Sequence, residues 1–507
     1  MDKQRTELNY NNTIDNLLIG INELFERGNC MKISGKALIL FIVFFGFAFT
    51  MRNSQLDVNA NAHTSTQLEP YQISLPIVPK QELPGYFVSP NGSDTNPGTF
   101  LQPWRTIGKA ARTVVPGDSV YVRAGIYNEA VSLNVSGTEQ KPINFLAYPG
   151  ETPIVEGNNH LPTTWTALIY VKGDWIRISG FEVRNSTYLG VQLHGQHDRV
   201  DHIFSHHNQR NGIYVQGDYG TVEDSSLWRN AMLNENNQAG NGSSALTTAR
   251  DANNGITDFA VLRNNTVWEN WGIGIDSYES NGTIIEGNII HDNLIGNIYI
   301  SDATNIVCRR NFLYMTPGSI TFGLNSNFGI LLGDEKYTPP SSNIAIINNI
   351  AYGNSKNLKW YSGVEGGGMN NVLIANNTFV NSVSDNKGGR NVDIGSGPHQ
   401  EVRILNNIIV QDDSQHIEDI AIDPNIVISH NIWSKPPRDE ILGSGDIVGD
   451  PKLARTGTPF DYPWFGLTIG SPAIDNALSL PEVLEDFLSN LRGVSPDIGA
   501  LEYLYPP

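Results

Sequence analysis

Eight side chains with useful chemistry sit at matching places on successive repeats of this 507-residue chain. Gln192, Tyr214, Asp276 and Tyr299 each follow an apolar residue of one recurring phrase: Val191, Ile213, Ile275 and Ile298. His194 and Tyr278 lie two residues further on, and Glu279 and Asp302 three. If the apolar residue points inward, its successor points out, so the four would form a vertical strip. Aromatic faces cover pyranose rings, and amides and carboxylates hydrogen-bond sugar hydroxyls; such a strip would bind a glycan chain. Paired carboxyls such as Asp276 and Asp302 could also split a glycosidic bond, given a suitable separation. His194, His197, His202, His206 and His207 cluster in the sequence. Their i, i+4 spacing holds a metal on a helix, and this segment reads as coil and strand, so surface rings are expected.

The element that must position these residues is a repeat. Phrases of the form apolar-x-x-Asn followed by an apolar pair end at Asn265, Asn288, Asn311, Asn349, Asn377, Asn407 and Asn431, with weaker copies at Phe181, Ile203 and Ser225. The steps between them are 22, 22, 40, 23, 23, 38, 28, 30 and 24 residues. A 22–24-residue step is one coil of a solenoid. Alternating pairs such as Ile344 and Ile346, or Val402 and Ile404, mark the coils as strands. Stacked coils lie about 4.8 Å apart, so the anchor asparagines should bond one to the next as a ladder. A second polar ladder is expected at Asn208, Asn230, Asn270, Asn293 and Asn354, with Thr316, Ser382 and Asp412 as substitutes. The long steps, between Ser225 and Asn265 and between Asn311 and Asn349, predict insertions that project from the ladder.

The expected organisation is a signal peptide or signal anchor with an N-terminal extension over 1–62, and a linker over 63–84. An N-terminal cap with first coils follows over 85–164, then repeats over 165–440 and a C-terminal cap over 441–507. Residues 37–50 read ALILFIVFFGFAFT after Lys32 and Lys36. That run is short for a membrane span and suits a signal-peptide core. The chain is expected outside the cell or on its surface, held to a membrane only through an uncleaved N-terminal segment. Pro103 through Thr106 is expected to open an amphipathic helix with Ile107, Ala110, Ala111 and Val114 on its apolar face. A formal charge of −19 argues against nucleic acid as a partner, because few counterions would be released, and leaves room for Ca²⁺ and for glycans. Of two cysteines, Cys308 occupies an apolar repeat position and reads as core. A monomer is expected.

The opening phrase YFVSPNGSDTNPGTFLQPWRTIGKA and the closing DIGALEY resemble the ends of bacterial family-9-like pectate-lyase homologues, and the coils resemble their right-handed parallel β-helix. The resemblance covers about residues 85–505. It implies an all-β solenoid and a polysaccharide partner. It also implies β-elimination on uronate glycans by a Lys or Arg base, with Ca²⁺ neutralising the carboxylate. The acidic residues on the strip that could hold Ca²⁺ are Asp276, Glu279 and Asp302. The family's lysine-bearing stretch corresponds to AGNGSSALTT and its acidic run to WGIGIDSY, where Asp276 survives. No lysine occurs between Lys172 and Lys336, so Arg250, Arg309 or Arg310 would stand in as the base, with Arg250 the candidate taken beside Asp276. Two readings stay open: a polysaccharide lyase, and a non-catalytic glycan-binding β-helix.

Overall fold

The computed structural model describes residues 83–504 apart from 239–242, 251–254, 337–340 and 384–388. The apolar segment at 37–50, the region 1–62 and most of the linker lie outside the described residues. No helix among those described is long and apolar enough to cross a membrane.

The chain winds as a parallel β-helix with three long sheets. Two have thirteen strands each, one running from Tyr86–Val88 to Ile426–Ser429 and the other from Gly125–Tyr127 to Ile447–Val448. The third has eleven strands, from Val131–Leu133 to His416–Ile420, and carries the strip. All neighbouring strands within these sheets pair in parallel. The strands alternate because one face lines a continuous interior: Val191, Ile213, Leu246, Ile275, Ile298 and Ile330 stack in register and are fully buried.

Asparagine fixes the spacing of the coils. From Asn265 to Asn431, each anchor amide donates to the next anchor's Oδ1 at 2.9–3.1 Å. The same Oδ1 accepts the preceding anchor's backbone N–H, as from Asn311 to Asn349 at 3.0 Å. A side chain thereby satisfies groups that the corner between two strands would orphan. The second ladder runs Asn208, Asn230, Asn270, Asn293 as expected. It then departs from expectation at Thr316. The chain between Asn311 and Asn349 bulges, and Thr316 turns to bond Asp292 through its backbone N–H. Asn297, from the strip-bearing sheet, takes the vacant rung and passes the ladder to Asn354, which continues through Asn357 to Asn391. The reason lies in one register position, Gly274–Asn297–Gly329–Asn357–Asn391. A Cβ at Gly274 would fall 2.8 Å from the Asn293 amide, so this position holds either a glycine that clears the ladder or an asparagine that joins it.

The N-terminal helix is shorter than expected. It spans Ile107–Ala111, and Thr106 is its cap, accepting from the Lys109 N–H at 3.0 Å. Pro103 therefore precedes the helix, and Trp104 packs into the core beside it. Ile107, Ala110, Ala111 and Val114 are buried against the first coils. The region after Ile432 does two jobs. Ile441 joins the main core near the last coil, and Arg438 pairs with Glu418 of the last strand in the eleven-strand sheet. The remainder runs along the flank, where Trp464, Phe465, Ile498 and Ala500 cover the outward apolar row Phe312, Ile350, Ile408 and Ile432. Buried Arg492 ties this tail down through Glu502, Asn348 Oδ1 and the Gly499 carbonyl. Cys308 is buried in the core and receives a bond from the Asn311 amide; burial pushes its thiol up to about 12.

Candidate active site

The outward strip of the eleven-strand sheet reads Ser132, Tyr170, Gln192, Tyr214, Thr247, Asp276, Tyr299, Leu331 and Lys359 in register. Gln192, Tyr214, Asp276 and Tyr299 thus share one line. Thr247 stands between Tyr214 and Asp276, so those two are two coils apart. The strip is not one continuous site: its residues divide between two clefts.

The first cleft, about 480 Å³, is built on Asp276, Tyr278 and Tyr299, and adds Glu335, Lys359 and Tyr361. Asp276 lies on strand Ile273–Tyr278 and is buried. Its Oδ2 accepts from Ser244 Oγ at 3.0 Å, and its Oδ1 has no partner. Desolvation of the ionised form pushes the carboxyl up to about 7, and the bond from Ser244 offsets this in part. Glu335 carboxylate accepts two phenols on one oxygen, Tyr299 at 2.8 Å and Tyr361 at 2.7 Å. Those hydroxyls are themselves 2.8 Å apart. Burial raises both phenols, Tyr361 to about 12, so their protons stay in place at neutral pH. The lower wall is apolar, with Ile273, Ile295, Phe328 and Leu331. The arrangement offers a proton acceptor at Asp276, a phenol beside it at Tyr299 with Tyr361 in the same cleft, and a cation at Lys359.

The second cleft, about 520 Å³, lies further along the same sheet and takes Gln192 and Tyr214, with Trp165, Tyr170, Lys172 and Gln216. Gln192 donates to Gln216 Oε1 at 2.7 Å. His194 sits just past the strand end with its ring edge-on to Tyr170 at 6.0 Å, and it lines neither cleft.

The other expected site residues are placed as follows. Arg250 follows strand Ser244–Ala249 and is exposed; its backbone carbonyl accepts from Gln216 Nε2 at 3.4 Å. Glu279 pairs with Lys336 at 3.0 Å. Asp302 accepts the backbone N–H groups of Glu335 and Lys336 at 3.1 and 2.8 Å, and the Ser301 hydroxyl at 3.0 Å; burial still raises its pKa. Asp276, Glu279 and Asp302 therefore have separate partners. Among the described residues no three His, Cys, Asp or Glu side chains converge to hold a metal. These three do not fit a shared Ca²⁺ as they stand.

Three functional groups of the first cleft, Glu335, Lys359 and Tyr361, are not marked by the repeat, and neither is Lys336, which bonds Glu279 beside it. Lys336 lies 57 residues from Glu279, yet its Nζ bonds that carboxylate and sits 5.0 Å from the Tyr278 ring centroid. These bonds to Tyr278 and Glu279 raise the lysine's pKa. The lysine-free stretch is filled from outside, because the segment after strand Phe328–Asp334 folds back across two coils. The signal in the sequence is the insertion between Asn311 and Asn349, whose length is enough to reach back over earlier coils.

The histidine cluster holds no metal site among the described residues. His197 stacks between Trp175 and Tyr219, and His206 stacks on Trp228 and lies 2.7 Å from His207, Nδ1 to Nδ1. A larger cleft, about 660 Å³, separates the tail from an Arg–Glu row on another sheet. Its arginines are matched by carboxylates, Arg263 with Glu223 at 2.6 Å and Arg310 with Glu485 at 2.8 Å.

Residues 86–305 match the Pel9A-like, right handed beta helix region. An uncharacterised protein of Bacillus subtilis, YwoF, is 25% identical over 389 residues, covering 69% of this chain and 80% of that one. Pectate lyase L of Dickeya chrysanthemi is 25% identical over 318 residues, covering 59% and 72%. Among solved structures, the complex of XylC with xylose superposes with a TM-score of 0.52 at 12% identity, over 82% of this chain and 98% of that one; this likeness is one of fold. In sequence and in architecture, this chain is a right-handed parallel β-helix protein similar to pectate lyase homologues.

Proposed function

We propose that this protein is an exported polysaccharide lyase that cleaves uronate glycans by β-elimination in the Asp276 cleft. The observation that carries the reading is the Asp276 carboxyl: buried, with one oxygen unpartnered, balanced near neutral pH, and in one cleft with two phenols and a lysine. A base of this kind is at once available and strong at pH 7. Ionised Asp276 takes the proton from the carbon next to the uronate carboxyl group. The C–H pair becomes the new C=C bond as the neighbouring glycosidic C–O bond breaks. The departing alkoxide takes a proton from Tyr299 or Tyr361, whose phenols remain protonated until so strong a base appears. Lys359 ammonium neutralises the substrate carboxylate, which otherwise opposes carbanion formation. The similarity to pectate lyases supports the substrate class, and the apolar run at 37–50 supports export.

A second reading is favoured by the two carboxyls of the cleft. With Asp276 as the acid and Glu335 as the base, the cleft would serve a glycoside hydrolase. One assay separates the readings. Incubate the protein with a panel of uronate polysaccharides, then follow ultraviolet absorbance of unsaturated ends and, in parallel, new reducing ends. Both signals rising together support elimination. Reducing ends without absorbance assign hydrolysis. Neither signal, with glycan binding retained, leaves a binding protein.

A further inference from the structure

The second cleft is separate from the first. Gln192 and Asp276 are three parallel strands apart in register, roughly 14 Å along the groove at the usual interstrand spacing. Trp165 is 61% exposed, unusual for so large an apolar side chain, and yet it is held on two sides. Tyr188 meets it edge-on at 5.1 Å, and the Arg210 guanidinium lies 4.8 Å from its ring centroid. A ring fixed in place with open surface is a platform that loses little entropy on meeting a flat partner. Beside it the cleft presents amides at Gln192 and Gln216 and a buried Thr166 hydroxyl oxygen without a partner. Among the described residues its lining contains no Asp or Glu, and Lys172 is the only charged side chain there. In a chain of formal charge −19, a cleft whose only charge is positive selects against cations and for an anion.

From this geometry we infer that the Trp165–Lys172 cleft is a distant sugar subsite. It takes a hexuronate residue of the same glycan chain whose reacting bond lies over Asp276. The ring stacks on Trp165, the carboxylate pairs with Lys172, and the hydroxyls meet Gln192 and Gln216. This rests on the reading of the Asp276 cleft as a uronate-glycan site. Because the two clefts lie on one line, a short oligomer fills the first alone and a longer one reaches both.

The experiment measures calorimetric binding of digalacturonate, hexagalacturonate and fully methyl-esterified hexagalacturonate. The host is the Asp276→Asn protein, which keeps the ligand intact. Trp165→Ala and Lys172→Met are added singly to that host. Because both side chains are surface groups, folding is checked by circular dichroism. The parent should bind the hexamer more tightly than the dimer. Trp165→Ala should weaken the hexamer roughly tenfold and leave the dimer unchanged. Lys172→Met should weaken the acid hexamer and not its ester. The inference is overturned if the parent does not bind the hexamer, or if either variant binds it as the parent does. Equal losses for dimer and hexamer also overturn it, as does an ester bound as tightly as the acid. The catalytic reading fails separately: if Asp276→Asn still cleaves the hexamer, Asp276 is not the base, and the Trp165 and Lys172 comparisons are then read at a temperature where cleavage is slow.

Discussion

Replacing Asp276 by Asn probes the state of the carboxyl at the centre of the proposed site. Burial pushes it up to about 7 from an ordinary value of 3.8. Roughly three units at about 1.36 kcal/mol each correspond to on the order of 4 kcal/mol. Between those two values the folded protein keeps a proton that the unfolded chain has released, so rising pH favours unfolding. The wild-type protein should therefore lose this stability from about pH 4 to about pH 7 and lose no more of it above. The asparagine side chain resembles the protonated acid in shape and does not titrate. The two proteins should melt together near pH 4. At pH 8 the variant should melt higher by roughly 4–5 °C, taking about 2 cal/mol/K of unfolding entropy for each of about 420 folded residues. Differential scanning calorimetry across pH 4–9 reads this directly, because other titrating groups cancel in the difference. The same titration should appear in catalysis: the wild-type rate should climb through pH 7 as the base ionises, and Asp276→Asn should be inactive. Melting curves that stay parallel from pH 4 to 9, or a variant less stable at pH 8, would refute a buried, neutral Asp276.

Other outcomes follow from the same contacts. Tyr361→Phe should lower kcat by about tenfold to a hundredfold while leaving melting nearly unchanged, because a phenol that serves the leaving group is lost from a half-buried position; an unaltered rate would assign that proton to Tyr299 or to water. Asn349→Ala should cost about 3–5 kcal/mol in urea unfolding, since it removes the acceptor shared by the Asn311 backbone N–H and the Asn311 amide, and a donor to the Cys308 carbonyl, in a dry interior. Cleavage should survive excess EDTA, because Asp276, Glu279 and Asp302 are partnered apart; loss on chelation and recovery with Ca²⁺ would show that the acidic groups regroup around a cation. Cys308 should resist iodoacetamide at pH 8 until the protein is unfolded, as its buried thiol ionises only near pH 12.

The coils were legible because the structure repeats what the sequence repeats. Anchors such as Asn288 and Asn311 bond each other 23 residues apart for the reason their spacing implied, and the register they impose puts Gln192, Tyr214, Asp276 and Tyr299 on one line. Legibility failed where the chain leaves the repeat. Thr316 stood at a ladder position by counting, but the inserted segment lets the chain swing out there, and Asn297 closes the gap from a different strand. The helix starts later than Pro103 suggests for a local reason: Pro103 fits a first helical turn, yet Thr106 captures the Lys109 N–H and sets the cap three residues on.

The charge of the cleft shows the same limit from the side of function. A solenoid places outward residues by register, so each coil contributes one side chain at each height, and the coil of Asp276 has no lysine to give. An insertion is free of that rule. The segment after Asp334 returns over strands laid down earlier, bringing Glu335 to Tyr299 and Lys336 to Glu279. Lys359 reaches the cleft by a third route, along the strip from three strands away. The repeat therefore supplies the floor of the site, its buried acid, the Tyr299 and Tyr361 phenols and the Lys359 cation, while the departure from the repeat supplies the carboxylate that the phenols meet and the lysine that meets Glu279. A motif sought within one coil could find Asp276 but not the groups that make its proton useful.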